Sequence, residues 1–260
     1  VLSETTGGQT AGYLYGSDLL AQDDTGSVRS FYHADGLGSA RALSARTPPQ
    51  LFARVEQGLA SHRAGHLARA AEIYREVLML APDQPDANHL LGLVLHQRGN
   101  FDAAHPLLLR AAKLSPASAM IQNNLGEVCR ELGRYTEALQ AYRKALLLSP
   151  ALPETQRNIG LTLLALERTA EAVAMLETTH ARHPDNPSVA WALGQAYAQQ
   201  GTPEQALTTL DKALTHSPDD GALLCAKGSA LTQAGTLDDP EHHYESTLAR
   251  HPQLAAAHYN

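Results

Sequence analysis

The sequence predicts an all-α solenoid of stacked helical hairpins, preceded by a short β-rich or irregular segment. Two periodic series carry that expectation. Glycine falls at 58, 92, 126, 160, 194 and 228, and proline at 82, 116, 150, 184, 218 and 252. Every step in both series is 34 residues, and a fixed period of this size marks an array of identical supersecondary units. Composition supplies the third observation. Only 5% of the residues are aromatic, while Ala and Leu, the strongest helix formers, dominate.

The frame divides the chain into units Leu51–Gln84, Pro85–Ser118, Ala119–Leu152, Pro153–Asn186, Pro187–Asp220 and Gly221–Leu254, and Ala255–Asn260 opens a seventh. Each unit is expected to hold two antiparallel helices. Gly65, Gly99, Gly133, Gly201 and Gly235 fall between them, where a left-handed residue ends a helix most easily if it lacks a Cβ. Glu167 takes that place in the fourth unit. The periodic glycines and the small residues Ala70, Ala104, Ala138, Ala172 and Ala206 admit a neighbouring helix. Tyr74, Leu108, Tyr142, Leu176, Leu210 and Tyr244 fill the space beyond.

Local signals refine the picture. Thr202-Pro203-Glu204-Gln205 reads as a helix start, with a Thr cap, Pro at the first helical position and Gln three residues on. Pro106 sits near a first turn, where proline is tolerated. The first unit is worn, with Gln57 and Ser61 at apolar positions. The sixth departs most: Lys227 replaces an apolar residue and Pro240 a packing Ala, so its second helix is expected to start after Asp238-Asp239. One hairpin cannot bury its own apolar stripe, so neighbours must stack.

Leu125-Gly126, Cys129, Ala138, Tyr142, Ala145 and Pro150 together resemble the tetratricopeptide repeat. The resemblance implies a right-handed superhelix whose first helices line a concave groove that holds a peptide or protein segment. The groove positions it implies here are His89, His96, Asn123, Asn124, Glu127, Arg130, Arg157, Asn158, Trp191 and Gln195. Asn124 and Asn158 share one repeat position, and an Asn both donates and accepts. They are similar to the asparagines with which O-linked N-acetylglucosamine transferases and related bacterial proteins hold an extended peptide backbone. The alternative for these asparagines is tying one helix to the next. Trp191 is either a groove anchor or inter-helix packing. The subset of the family that clamps chaperone carboxylates needs cations where this chain has His89, Glu154 and Asn158, so that specialisation is disfavoured.

Val1–Thr47 lies outside the frame. Tyr13-Leu14-Tyr15-Gly16, Tyr32-His33-Ala34-Asp35 and Gly36-Leu37-Gly38-Ser39-Ala40-Arg41 resemble an Rhs/YD repeat. Three short strands are expected at Tyr13–Leu20, Val28–His33 and Ala40–Leu43, with turns at residues 22–26 and 35–38. A segment this short encloses nothing and reads as a remnant, joined through Ser44–Pro49 to the solenoid at 48–260. The start at Val1 and the unfinished seventh unit read as signs of a fragment.

Charge and composition exclude several function classes. A net charge of −7 offers no polyanion surface, so nucleic acid is an unexpected partner. No apolar run reaches membrane-spanning length. Two cysteines, Cys129 and Cys225, make no disulfide framework, which suits a reducing, cytoplasmic setting. The thirteen histidines include the pairs His62/His66 and His180/His183, but neither has further ligands at metal spacing, so no metal or cofactor is expected. No phosphate loop or nucleophile motif appears, and no catalysis is expected within the chain. The function expected is a non-catalytic scaffold. The alternative is the substrate-recruiting region of a larger bacterial enzyme, a glycosyltransferase or sulfotransferase. An uncapped last unit also leaves self-association open.

Overall fold

A computed structural model describes residues 2–6, 9–13 and 49–235. The first two stretches form a hairpin of β1 (Leu2–Thr6) and β2 (Gln9–Tyr13), antiparallel with Leu2 opposite Tyr13 and Thr6 opposite Gln9. That hairpin was not expected from the sequence. Of the three strands that were, only Tyr13 falls among the described residues, where it ends β2 rather than opening a strand. The remainder of those strands, the turns between them and the second helix of the sixth unit lie outside the described residues.

Eleven helices follow among the described residues: α1 (Pro49–Arg63), α2 (Leu67–Leu80), α3 (Pro85–Gln97), α4 (Phe101–Leu114), α5 (Ala119–Glu131), α6 (Tyr135–Leu148), α7 (Pro153–Ala165), α8 (Thr169–Arg182), α9 (Pro187–Gln200), α10 (Pro203–His216) and α11 (Gly221–Gln233). Among the described residues, no helix is long and apolar enough to cross a membrane. The chain divides into two compact units, Val1–Pro150 and Ala151–Asn260. In the first, α1–α2, α3–α4 and α5–α6 pack as hairpins, and α3 also lies against α1 and α5. In the second, α7–α8 and α9–α10 are hairpins, and α9 lies against both α7 and α11.

The 34-residue glycines sit where a Cβ has no room. A Cβ on Gly126 would lie 2.5 Å from Tyr142 Cε1, on Gly92 2.7 Å from Leu108 Cγ, and on Gly160 2.6 Å from Leu176 Cγ. Each hairpin therefore closes by seating the large residue of its second helix on the glycine of its first. Tyr74, Leu108, Tyr142, Leu176 and Leu210 are fully buried, as are Ala70, Ala104, Ala138, Ala172 and Ala206. The turns follow the expected chemistry too. Gly65, Gly99, Gly133, Gly201 and Gly235 have φ of 76°, 71°, 71°, 82° and 66°, and Glu167 adopts 59° in the same place.

Leading helices start on side-chain caps at four places. Ser118 Oγ accepts from Ile121 N at 3.3 Å, and Asn186 and Asp220 each accept from two backbone amides. Gln84 accepts from Ala87 N. The expected Thr202 cap differs. Its hydroxyl donates to Tyr197 O at 3.1 Å, a carbonyl at the end of α9 that also accepts from Thr202 N at 2.9 Å, instead of accepting from an amide of α10. Pro203 does occupy the first helical position. Helix α4 runs through Pro106 without interruption, and Lys227 escapes the apolar interior by pairing with Asp211 at 2.7 Å.

Candidate functional site

The leading helices concentrate buried hydrogen-bonding groups. Along α5, Gln122, Asn123, Asn124 and Glu127 are all buried alongside Ile121, Leu125 and Val128. An apolar core would not need polar groups there, and buried polar groups require partners. In the first unit, Asn124 Nδ2 donates to His89 Nε2 at 2.8 Å, linking α5 to α3. That nitrogen must be the unprotonated one, which leaves the ring proton on Nδ1. Burial lowers His89 to a pKa of about 4, with the charge of His62 pushing the same way. The imidazole is neutral at physiological pH.

Asn124 Oδ1 has less than 1 Å² exposed and no hydrogen-bond partner among the described residues. Asn123 Nδ2 donates to Glu127 Oε1 at 3.1 Å along the same helix. His96 is half-buried and rests its ring against Phe101, centroids 5.5 Å apart at 52°. His89 and His96 therefore serve different neighbours rather than one site. Arg130 is half-buried and pairs with Glu131.

A second bond of the same kind joins α1 to α3, with His62 Nε2 donating to Gln97 Oε1 at 2.8 Å. Burial again lowers the histidine pKa. The sequence reading did not single out this pair. The signal that would have found it is spacing: His62 and Gln97, like His89 and Asn124, are 35 residues apart. One period plus one residue is the offset at which successive leading helices meet.

In the second unit the same offset recurs, as Gln199 Nε2 donates to Leu164 O at 3.1 Å. Asn158 is buried, and its Oδ1 accepts from Arg157 Nη2 at 2.9 Å and Nε at 3.2 Å. Trp191 is half-buried and Gln195, one turn later on α9, is exposed. Tyr197, on the same helix, donates to Glu177 Oε1 at 2.7 Å. The expected residues thus form three local groups: His89 with Asn124, Asn123 with Glu127, and Arg157 with Asn158. Trp191 and Gln195 share a helix face.

Nothing in these groups supplies a nucleophile with an activating base. The arrangement can accept, donate and exclude water, which is binding chemistry.

Two family models described as tetratricopeptide repeat match the chain, over residues 89–153 and 163–228. No curated protein matches the sequence. Solved structures share the architecture. Pseudomonas aeruginosa PilF is 21% identical, covers 78% of this chain and 91% of its own, and superposes with a TM-score of 0.60. PilW, described as a type IV pilus biogenesis factor, is 19% identical, covers 78% and 93%, and reaches 0.68. A tetratricopeptide protein of Thermus thermophilus is 22% identical over 70% of this chain and 99% of its own, with a TM-score of 0.58. Identities this low speak to fold alone. Together with the glycine-closed 34-residue hairpins and family matches spanning half of the sequence, they lead to one conclusion: the chain belongs to the tetratricopeptide repeat family.

Proposed function

We propose that this chain is a non-catalytic protein-interaction scaffold, whose leading helices capture an extended peptide or protein segment. The observation that carries the reading is Asn124. Its Nδ2 is committed to His89, while its buried Oδ1 has no partner among the described residues. A buried acceptor left unmatched costs roughly 1–3 kcal/mol; with under 1 Å² of it exposed, a main-chain N–H of a bound segment satisfies it only after the side chains that cover it move aside. Asn123, Glu127 and Arg130 on the same helix supply further contacts for that segment. In the second unit, half-exposed Trp191 supplies a large aromatic anchor beside Gln195, and aromatics of this kind dominate interface energetics. PilW, similar in fold, is described as a pilus biogenesis factor, a role in assembly that fits the same reading.

A peptide array probed with the purified full chain tests the proposal. Extended segments are expected to bind, and Asn124→Ala is expected to weaken them at least about tenfold, roughly 1.4 kcal/mol. An array without binders, or binders indifferent to both Asn124→Ala and Trp191→Ala, would overturn it.

A further inference from the structure

Three side chains with metal-ligating chemistry converge in the first unit, one of them on the leading helix α5 and two on second helices. His105 comes from the start of α4, Cys129 from the end of α5 and Glu137 from the first turn of α6. One ligand atom of each lies within 4.8 Å of those of the other two. His105 Nε2 and Glu137 Oε2 are 4.0 Å apart. The sequence offsets, 24 and then 8 residues, match no local metal motif, so only the stacking of the α3–α4 and α5–α6 hairpins assembles the cluster.

We propose that His105, Cys129 and Glu137 bind a divalent ion of the zinc class, with one imidazole nitrogen, one thiolate and one carboxylate oxygen as protein ligands. Solvent would take the fourth tetrahedral position. The donor set selects the ion. Thiolate and imidazole favour zinc over magnesium and calcium, which prefer oxygen throughout. Three protein ligands with one open position is also a recurrent zinc arrangement.

The geometry needs only a short contraction. Metal–ligand lengths of about 2.0–2.3 Å place tetrahedral ligands about 3.5 Å from one another. Cys129 is 1% exposed and the His105 side chain 14% exposed, so packing holds both. The Glu137 side chain is 54% exposed. It can rotate over the pair and leave the fourth position to solvent.

The site carries its own opposing charge. The guanidinium of Arg134 acts electrostatically on both His105 and Cys129. Burial, reinforced by the charge of Glu137, pushes the Cys129 thiol up to about 11. The ion therefore displaces a proton: the S–H bond breaks, the proton leaves to solvent, and the sulfur pair forms the metal bond. Bound metal would cross-link the second and third repeats through α4, α5 and α6.

Cobalt(II) substitution in the reduced, chelator-treated full chain tests this directly. One equivalent is expected to produce a near-ultraviolet thiolate-to-cobalt band with tetrahedral visible bands, and one equivalent of zinc should abolish both. Cys129→Ala should remove the thiolate band and Cys225→Ala should keep it. Because the Glu137 side chain is exposed, Glu137→Gln tests the site without disturbing the core. It is expected to weaken cobalt at least about tenfold, whereas Arg134→Gln should tighten it. Cobalt bound without a thiolate band, the signature of surface histidines alone, would overturn the proposal. So would a band that depends on Cys225, or an affinity unchanged by both Glu137→Gln and His105→Gln.

Discussion

Asn124 Nδ2 lies 2.8 Å from His89 Nε2, joining two leading helices across 35 residues of sequence. The bond fixes a neutral imidazole inside the repeat stack. Its consequence is a pH dependence whose sign is set by burial. His89 has its usual pKa near 6.5 when unfolded and about 4 when folded. The unfolded chain therefore binds more protons between these values. The full contribution is present above pH 6.5 and is lost as pH falls toward 4. A gap of this size corresponds to about 3 kcal/mol. Urea midpoints measured from pH 7 to 4 are expected to fall less steeply in His89→Gln than in the natural chain. Parallel slopes would mean that His89 does not titrate as its burial requires.

The glycine that closes each hairpin is a second point of leverage. Adding a methyl group at Gly126 puts carbon 2.5 Å and 2.6 Å from the ring atoms Cε1 and Cδ1 of Tyr142, which is itself fully buried. A rigid ring in a packed interior has nowhere to go. Gly126→Ala is expected to lower stability by about 3 kcal/mol. At Gly133 no atom of the described residues lies within 4 Å of a new Cβ, but φ is +71°. Gly133→Ala should cost only about 1 kcal/mol. Chemical denaturation of both variants checks the ordering, and equal losses would refute the steric account.

Glu167 tests the turn chemistry in the opposite direction. It holds φ at 59° where the other described turns use glycine. Glu167→Gly should relieve about 1 kcal/mol and raise the melting temperature by roughly 2–4 °C. A melting temperature that stays put or falls would show that the turn is not strained.

Trp191 separates binding from folding. It is half-buried on α9, with exposed Gln195 one turn away. Trp191→Ala is expected to weaken segments selected on the peptide array about tenfold or more. Thermal unfolding should move by less than the roughly 3–5 kcal/mol that removal of a fully buried Trp causes. A large stability loss with unchanged binding would assign Trp191 to packing.

Much of the fold was legible because the 34-residue period is a steric requirement written in residue types. Gly126 and Tyr142 stand in the same relation as Gly92 and Leu108, so reading one hairpin reads the rest. The left-handed turns were equally visible, Glu167 included. The Thr202 hydroxyl departs from expectation because its choice between an amide of α10 and the carbonyl of Tyr197 depends on how the two helices meet. The β1–β2 hairpin was missed, as Leu2–Thr6 and Gln9–Tyr13 carry little apolar alternation and no part of the repeat.

Among candidate site residues, the sequence placed Asn123, Asn124 and Glu127 on one leading helix, and α5 does carry them. It left open whether Asn124 ties helices together or faces a ligand, and the contact with His89 shows that one end of its amide does the former. By itself, then, the sequence determined the hairpin unit, its repeat length and its turns. Each of these depends on contacts within one unit, where spacing along the chain and spacing in space are nearly the same quantity. Only tertiary structure decided that His89 meets Asn124, that His62 meets Gln97, and that His105, Cys129 and Glu137 converge. Those pairings depend on the offset between stacked hairpins, which packing sets and no single repeat contains.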